Sequence, residues 1–159
     1  MISFKKYDQM LGEKVTVNKV YHTSSVKTKA YATPMWFALE FSHAVDGWLA
    51  NTIKDSGKGF VYETKPKGNI AQEDDAEVKK LFKNANQNLN DYIIDLVENP
   101  SSKEVLGMEG TKLLIDNGYS GMVYNDYDPR DFQKDLPALI IFNPKKDASS
   151  FKLVKQSNS

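Results

Sequence analysis

Short β-favouring segments stand at both ends of this 159-residue chain, and a long helical stripe separates them. The segments are 14–21 and 31–37 near the N-terminus, and 121–124, 138–142 and 151–154 near the C-terminus. Between them, apolar side chains recur at helical spacing over 76–98. Such an irregular order of strands and helices predicts an α+β fold, not a parallel sheet of strand–helix–strand units.

The helical regions carry their own start and stop signals. Ser42 is a favourable N-cap for a helix over 44–55, and glycines follow that helix. Four asparagines between 84 and 90 predict a break in the middle of the 76–98 stripe. Two further helices are predicted over 1–14 and 110–117.

Composition excludes several classes of protein. Lys plus Arg and Asp plus Glu both number 21, so no net field directs the chain to nucleic acid. Local basic patches stay open, with Lys65 to Lys67 and Lys145 to Lys146 as candidates. No run of about 20 apolar residues is present, and because 1–11 has polar residues throughout, we expect no secretory leader. We therefore expect one cytoplasmic domain over 1–159, with no membrane partner.

Metal and thiol chemistry are not expected. The chain has two histidines and no cysteine, which leaves no zinc-type spacing. Asp126, Asp128 and Asp131 superficially resemble a calcium loop, but the required glycine and closing glutamate are absent. A solvated turn is the favoured interpretation.

His22, Thr23 and Ser24 form the first candidate binding group. They stand at the end of a predicted strand, where an imidazole and two hydroxyls are able to hydrogen-bond a ribose or an amide. The alternative is a histidine satisfied by the backbone at a strand end.

Four aromatic side chains follow the predicted strand: Tyr31, Trp36, Phe37 and Trp48. Flat rings are suited to stacking a nicotinamide or adenine, and an apolar wall excludes water from a reactive bond. Taken singly, each is also typical of a protein core.

These motifs, in this order, resemble those of ADP-ribosyltransferase-like domains. The family typically begins with Tyr-His-Gly-Thr/Ser, which 21–24 resembles with Thr23 in the glycine position. Its second element, an aromatic pair followed by a helix, is similar to 36–38 and 44–48. Its C-terminal half, Gly-Tyr-Asp-Gly-Val and then Glu-Tyr-Val-Val-Phe-Asp-Pro, is similar to 118–122 and 138–144.

The resemblance implies two small mixed or antiparallel sheets that form a cleft with flanking helices. It implies NAD as a possible ligand, with His22 anchoring it and Trp48 stacking on nicotinamide. The family's catalytic glutamate falls on Ala138. Asp135 is the replacement acid we consider first, and Glu40 and Glu63 are alternatives if the register is shifted.

Three hypotheses follow. The first expectation is a non-catalytic or strongly diverged effector of viral or bacterial type that binds a nucleotide-like ligand or a protein partner. The second is an active mono-ADP-ribosyltransferase that modifies a macromolecular target. The third is an unrelated α+β structural protein. The cleft hypothesis requires His22 and Leu139 to lie close together.

Overall fold

The computed structural model describes residues 17–98, 100–125 and 137–158. The strands are β1 (Val20–Ser24), β2 (Met35–Ala38), β3 (Lys58–Thr64), β4 (Asn69–Gln72), β5 (Tyr119–Asn125), β6 (Pro137–Ile141) and β7 (Lys152–Asn158). The helices are α1 (Phe41–His43), a π-helical segment (Ala44–Leu49), α2 (Ala50–Ser56), α3 (Ala76–Asn84), α4 (Leu89–Val97), α5 (Ser102–Gly107), α6 (Glu109–Asp116) and α7 (Pro144–Asp147). The predicted helix over 1–14 lies outside the described residues.

The strands form one mixed seven-stranded sheet in the order β4-β5-β6-β2-β1-β3-β7. β4 and β5 are parallel, and the other neighbouring strands are antiparallel. The α+β class is therefore confirmed.

The expected pair of separate sheets is replaced by this single sheet. β2 pairs with β6 over four residues, from Met35 opposite Ile141 to Ala38 opposite Ala138. β2 also pairs with β1, where Tyr21 stands opposite Ala38. Because β2 is hydrogen-bonded on both sides, it joins the N-terminal strands to the C-terminal strands in one sheet.

The two faces of the sheet have different coverings. Side chains alternate along each strand, so Trp36 and Phe37 point to opposite faces. The helical face carries Trp36, Ala38, Ala138, Ile140, Met122 and Tyr124, which pack in clusters with α3 to α6 and the π-helical segment. The opposite face carries Val20, Phe37, Val123, Leu139 and Ile141, which form a separate buried cluster with Met35 and Ala148. Both faces of the central strands are thus apolar, as expected for a sheet buried on two sides.

The predicted break in the 76–98 stripe is confirmed. α3 ends at Asn84, and Asn86 adopts a positive φ of 57°, a conformation that asparagine tolerates better than most residues. Asn88 then caps α4, its side-chain oxygen accepting from the Asp91 N–H at 3.1 Å. The asparagines therefore end one helix and start the next.

The expected N-cap of the helix predicted over 44–55, which precedes β3, is wrong. Ser42 lies inside α1, and Glu40 is the N-cap, with no side-chain hydrogen bond to the helix. α1, the π-helical segment and α2 run without interruption from Phe41 to Ser56, where Gly57 ends the helix with a φ of 78°. The helix begins early because Phe41 packs edge-on against Tyr21 of β1, with ring centroids 5.5 Å apart.

Candidate functional site

His22 lies on the opposite face, in the middle of β1. Its ring packs against Phe37 of β2 at 5.5 Å between centroids and against Phe151 at 6.0 Å. Phe37 stands directly opposite Leu139 of β6. Since neighbouring strands are about 4.8 Å apart, His22 and Leu139 are about two strand spacings from each other. The two residues are therefore near each other on one face of the single sheet, where Leu139 is fully buried.

The protonation state of His22 is set by the backbone. Nδ1 lies 2.8 Å from the Trp36 carbonyl oxygen, so Nδ1 carries the proton and donates. Burial lowers the pKa of His22 from its ordinary value of 6.5, and the Trp36 carbonyl partly opposes that shift. The ring is therefore neutral at pH 7, with Nε2 as a hydrogen-bond acceptor.

The hydroxyls after His22 point to different faces. Ser24 shares the face of His22, and its Oγ accepts from the Val26 N–H at 3.2 Å, which leaves its O–H to donate. Thr23 stands opposite Val61 and points to the helical face. Its Oγ1 is buried and has no hydrogen-bond partner among the described residues.

The loop that follows β1 folds back over the face that carries His22. Tyr62 of β3 stands opposite His22 across the β1–β3 pair. Its hydroxyl accepts from the Thr28 N–H at 3.0 Å. This bond fixes the loop beside His22, with exposed Lys27 and Lys29 on either side of Thr28. Sequence reasoning missed Tyr62 and Phe151 as neighbours of His22, because nothing in their local pattern records the cross-strand register.

The tryptophans are not brought together with the imidazole. Trp36 and Trp48 pack against the cluster on the helical face, whereas His22 and Phe37 meet on the opposite face. Trp36 contributes only its backbone carbonyl to His22. Tyr31 is exposed, and the Lys29 ammonium lies 5.9 Å from the centre of its ring.

Ala138 lies in the core of the helical face, fully buried between Ala38 and Tyr124 of the neighbouring strands. A carboxylate at this position would point away from His22. On the face of His22, β6 presents Pro137, Leu139 and Ile141. Glu63 lies on the helical face, 3.7 Å from the Lys19 ammonium. Asp135 lies outside the described residues.

His43 and Glu40 form a second polar pair at the start of the long helix. The His43 side chain is nine-tenths buried, and its Nε2 lies 3.7 Å from a Glu40 carboxylate oxygen. Burial lowers the pKa of His43, and the nearby carboxylate of Glu40 opposes the shift. The distance is beyond a hydrogen bond, and neither ring nitrogen has a hydrogen-bond partner within the described part of the chain.

Acidification is expected to destabilise the fold through both histidines. Above pH 6.5 each imidazole is neutral whether the chain is folded or unfolded. Below that value the unfolded state takes up protons that the folded state resists, so stability falls until the lowered folded pKa is passed. His22→Asn retains a hydrogen-bond donor near the Trp36 carbonyl but has no group that titrates in this range. The free energy of unfolding, measured in urea between about pH 7.5 and about pH 5.5, should therefore fall less steeply with falling pH in this variant. An unchanged dependence on pH would show that His22 takes up its proton equally in the folded and unfolded states.

Residues 17–98, 100–125 and 137–158 contain no group of three His, Asp or Glu side chains placed to hold a metal ion. None of the helices in these ranges is long and apolar enough to cross a membrane. Comparisons with protein-family models, with curated proteins and with solved structures found no match to this chain.

Proposed function

We propose that this chain is a non-catalytic, ADP-ribosyltransferase-like binding module, and that it holds a nucleotide-like ligand on the face of His22. The observation that carries the proposal is the bond between the Thr28 N–H and the Tyr62 hydroxyl, which holds the loop that carries Lys27 on the face of the neutral imidazole. A nucleotide offers hydroxyl groups and phosphates, so it needs a hydrogen-bond acceptor and a cation at neighbouring positions.

The polar groups on this face match those of a ribose and a phosphate. Nε2 of His22 accepts from one ribose hydroxyl, and the Ser24 hydroxyl donates to another oxygen. These residues are two apart on one strand, a spacing of about 6.6 Å. Lys27 supplies the charge for a phosphate. NAD fits this donor set through its ribose and pyrophosphate, without a tryptophan stack from Trp36 or Trp48.

Catalysis by the family's usual arrangement is not supported. The transferase reaction develops positive charge on the ribose, which a nearby carboxylate stabilises. Position 138 offers a buried methyl group on the other face of the sheet. An active mono-ADP-ribosyltransferase would require an acid from elsewhere, with Asp135 the first choice. A small effector that acts by binding a nucleotide or a protein does not require one.

Calorimetric titration with NAD and with ADP-ribose tests this proposal. We expect binding by the full chain, and about a tenfold weaker affinity for His22→Ala because one buried hydrogen bond is lost. Lys27→Ala should weaken binding and reduce its salt dependence. His43→Ala is the matched control and should bind as the unmodified chain does.

Two results would contradict parts of this proposal separately. If the titrations give no heat of binding and neither NAD nor ADP-ribose raises the melting temperature, nucleotide binding is excluded at the ligand concentrations used. Transfer of label from NAD to a protein in a cell lysate, lost in His22→Ala, would show that the chain is an active transferase. In that case Asp135→Asn should abolish the transfer.

A further inference from the structure

A cavity of about 310 Å³ opens at the end of the sheet where β5 begins and β6 ends. Leu106 of α5 and Ile115 of α6 line it, and both are unusually exposed for apolar side chains, at 39% and 44%. Phe142, which is buried, also lines it. Single exposed apolar residues are common on protein surfaces, but two of them around one cavity form a local apolar site.

Two basic segments that are distant in sequence meet beside this cavity. The Lys67 N–H donates to the Asp147 carbonyl at 2.7 Å, and Pro66 forms a β-bridge with Ala148. Lys145 and Lys146 lie in α7, directly before Asp147. The backbone of Lys65–Lys67 therefore lies next to the helix that carries Lys145 and Lys146, although the two groups are distant in sequence.

The charged residues around this cavity are mostly lysines. Lys146 and Asp147 line the cavity itself. Lys67 and Lys145 directly precede the lining residues Gly68 and Lys146, and Asp116 directly follows the lining residue Ile115. The three lysines are exposed, and within the described ranges none of them forms a salt bridge. Three lysines thus stand in or beside the lining, against two carboxylates. The Lys145 N–H donates to the Tyr31 carbonyl at 2.9 Å, which brings a further exposed aromatic residue to this surface.

We infer that this cavity is a docking site for an acidic segment of a partner protein. The segment inserts one bulky apolar side chain between Leu106 and Ile115 and places its carboxylates against Lys67, Lys145 and Lys146. A small apolar pocket that takes one anchor, with a charged rim around it, is the usual arrangement of a protein–protein hot spot. The cavity volume of about 310 Å³ is at the low end of the range of small-molecule sites, which span about 300–1,000 Å³, and it suits a single inserted side chain.

This inference does not depend on nucleotide binding. The cavity shares no lining residue with the group formed by His22, Ser24 and Lys27. Ile115→Asp should therefore leave NAD titrations unchanged, and His22→Ala should leave partner docking unchanged. Failure of either proposal is thus distinguishable from failure of the other.

Selection of random peptides displayed against the full chain tests the inference. We expect the recovered peptides to carry a bulky apolar residue flanked by Asp or Glu. Their affinity should fall at least tenfold for Ile115→Asp and should weaken with added salt. Ile94→Asp is the matched control, since Ile94 is an exposed isoleucine on α4, at 55%, that does not line the cavity.

A charge reversal tests the contribution of the lysines separately from that of the apolar pocket. Lys146→Glu should reduce binding of the same peptides, because Lys146 lines the cavity. Lys155→Glu should not, because Lys155 lies on β7 and does not line it. Circular dichroism of each variant establishes that it is folded before binding is measured. The inference is overturned if no peptide is enriched, if the enriched peptides bind Ile115→Asp unchanged, or if a single-stranded oligonucleotide binds this rim and displaces them.

Discussion

Gly121→Ala is expected to destabilise the protein by roughly 3 kcal/mol or more, because two central strands have no room for a side chain at this position. A β-carbon on Gly121 would clash with the carbonyl oxygen of Ile140 and would lie 3.2 Å from the α-carbon of Ile141. Both are backbone atoms of β6, so relief requires β5 and β6 to move apart. That movement would weaken the ladder between them, which pairs five residues.

Thermal unfolding measures the effect of this substitution. For a domain of this size, a loss of about 3 kcal/mol corresponds to a fall in melting temperature of roughly 6–12 °C. Gly107→Ala is the matched control, since a β-carbon there meets nothing within 4 Å and the residue ends α5. The control should be neutral or slightly stabilising. Equal melting temperatures for the two variants would contradict the close approach of β5 and β6.

Ala138→Glu is expected to unfold much of the protein and to produce no transferase activity. The position is fully buried in the apolar cluster of the helical face, opposite Ala38 and Tyr124. A carboxylate placed there has no partner in that cluster, and an uncompensated buried charge costs about 3–5 kcal/mol. Because the side chain at position 138 points away from His22, a glutamate there would not share the face of the imidazole.

Two comparisons isolate the charge from the volume in this substitution. Ala138→Leu adds bulk alone and should cost about 1–3 kcal/mol. Burial raises the pKa of a carboxyl group, so Ala138→Glu should approach Ala138→Leu in stability as the pH falls and the group takes up a proton. A stable Ala138→Glu variant that transfers label from NAD would show instead that position 138 faces the ligand.

The sequence predicted those helix boundaries that are set by residues at the boundary itself, such as capping asparagines and a terminating glycine. The asparagine break between α3 and α4 is one such case, since Asn86 and Asn88 supply the turn and the cap themselves. The α6 helix is another: it covers Glu109–Asp116, one residue from the predicted range at each end. Gly118 follows it with a φ of 86°, which glycine accepts without strain.

Local sequence patterns did not predict on which face of the sheet each candidate residue lies. Trp36 and Phe37 are neighbours in sequence and both aromatic, yet only Phe37 meets His22, because adjacent side chains of a strand point to opposite faces. The same alternation separates Ala138 from Leu139. β4 was also missed, since its Asn69–Gln72 segment is short and only partly apolar, and it is held by the neighbouring β5.

The π-helical turn ahead of α2 allows this part of the chain to accept a change of length. A π-turn holds one residue more than the α-helical turn it replaces. Deleting one residue between Ala44 and Leu49 would convert the π-turn into an α-turn, and because each completes one rotation, the residues on both sides would keep nearly the same helical phase. Phe41 would then keep its contact with Tyr21, and Ile53 its place on the helical face. The same deletion within α2, which has no extra residue in its turns, would rotate the preceding helix by about 100° and move Phe41 away from Tyr21.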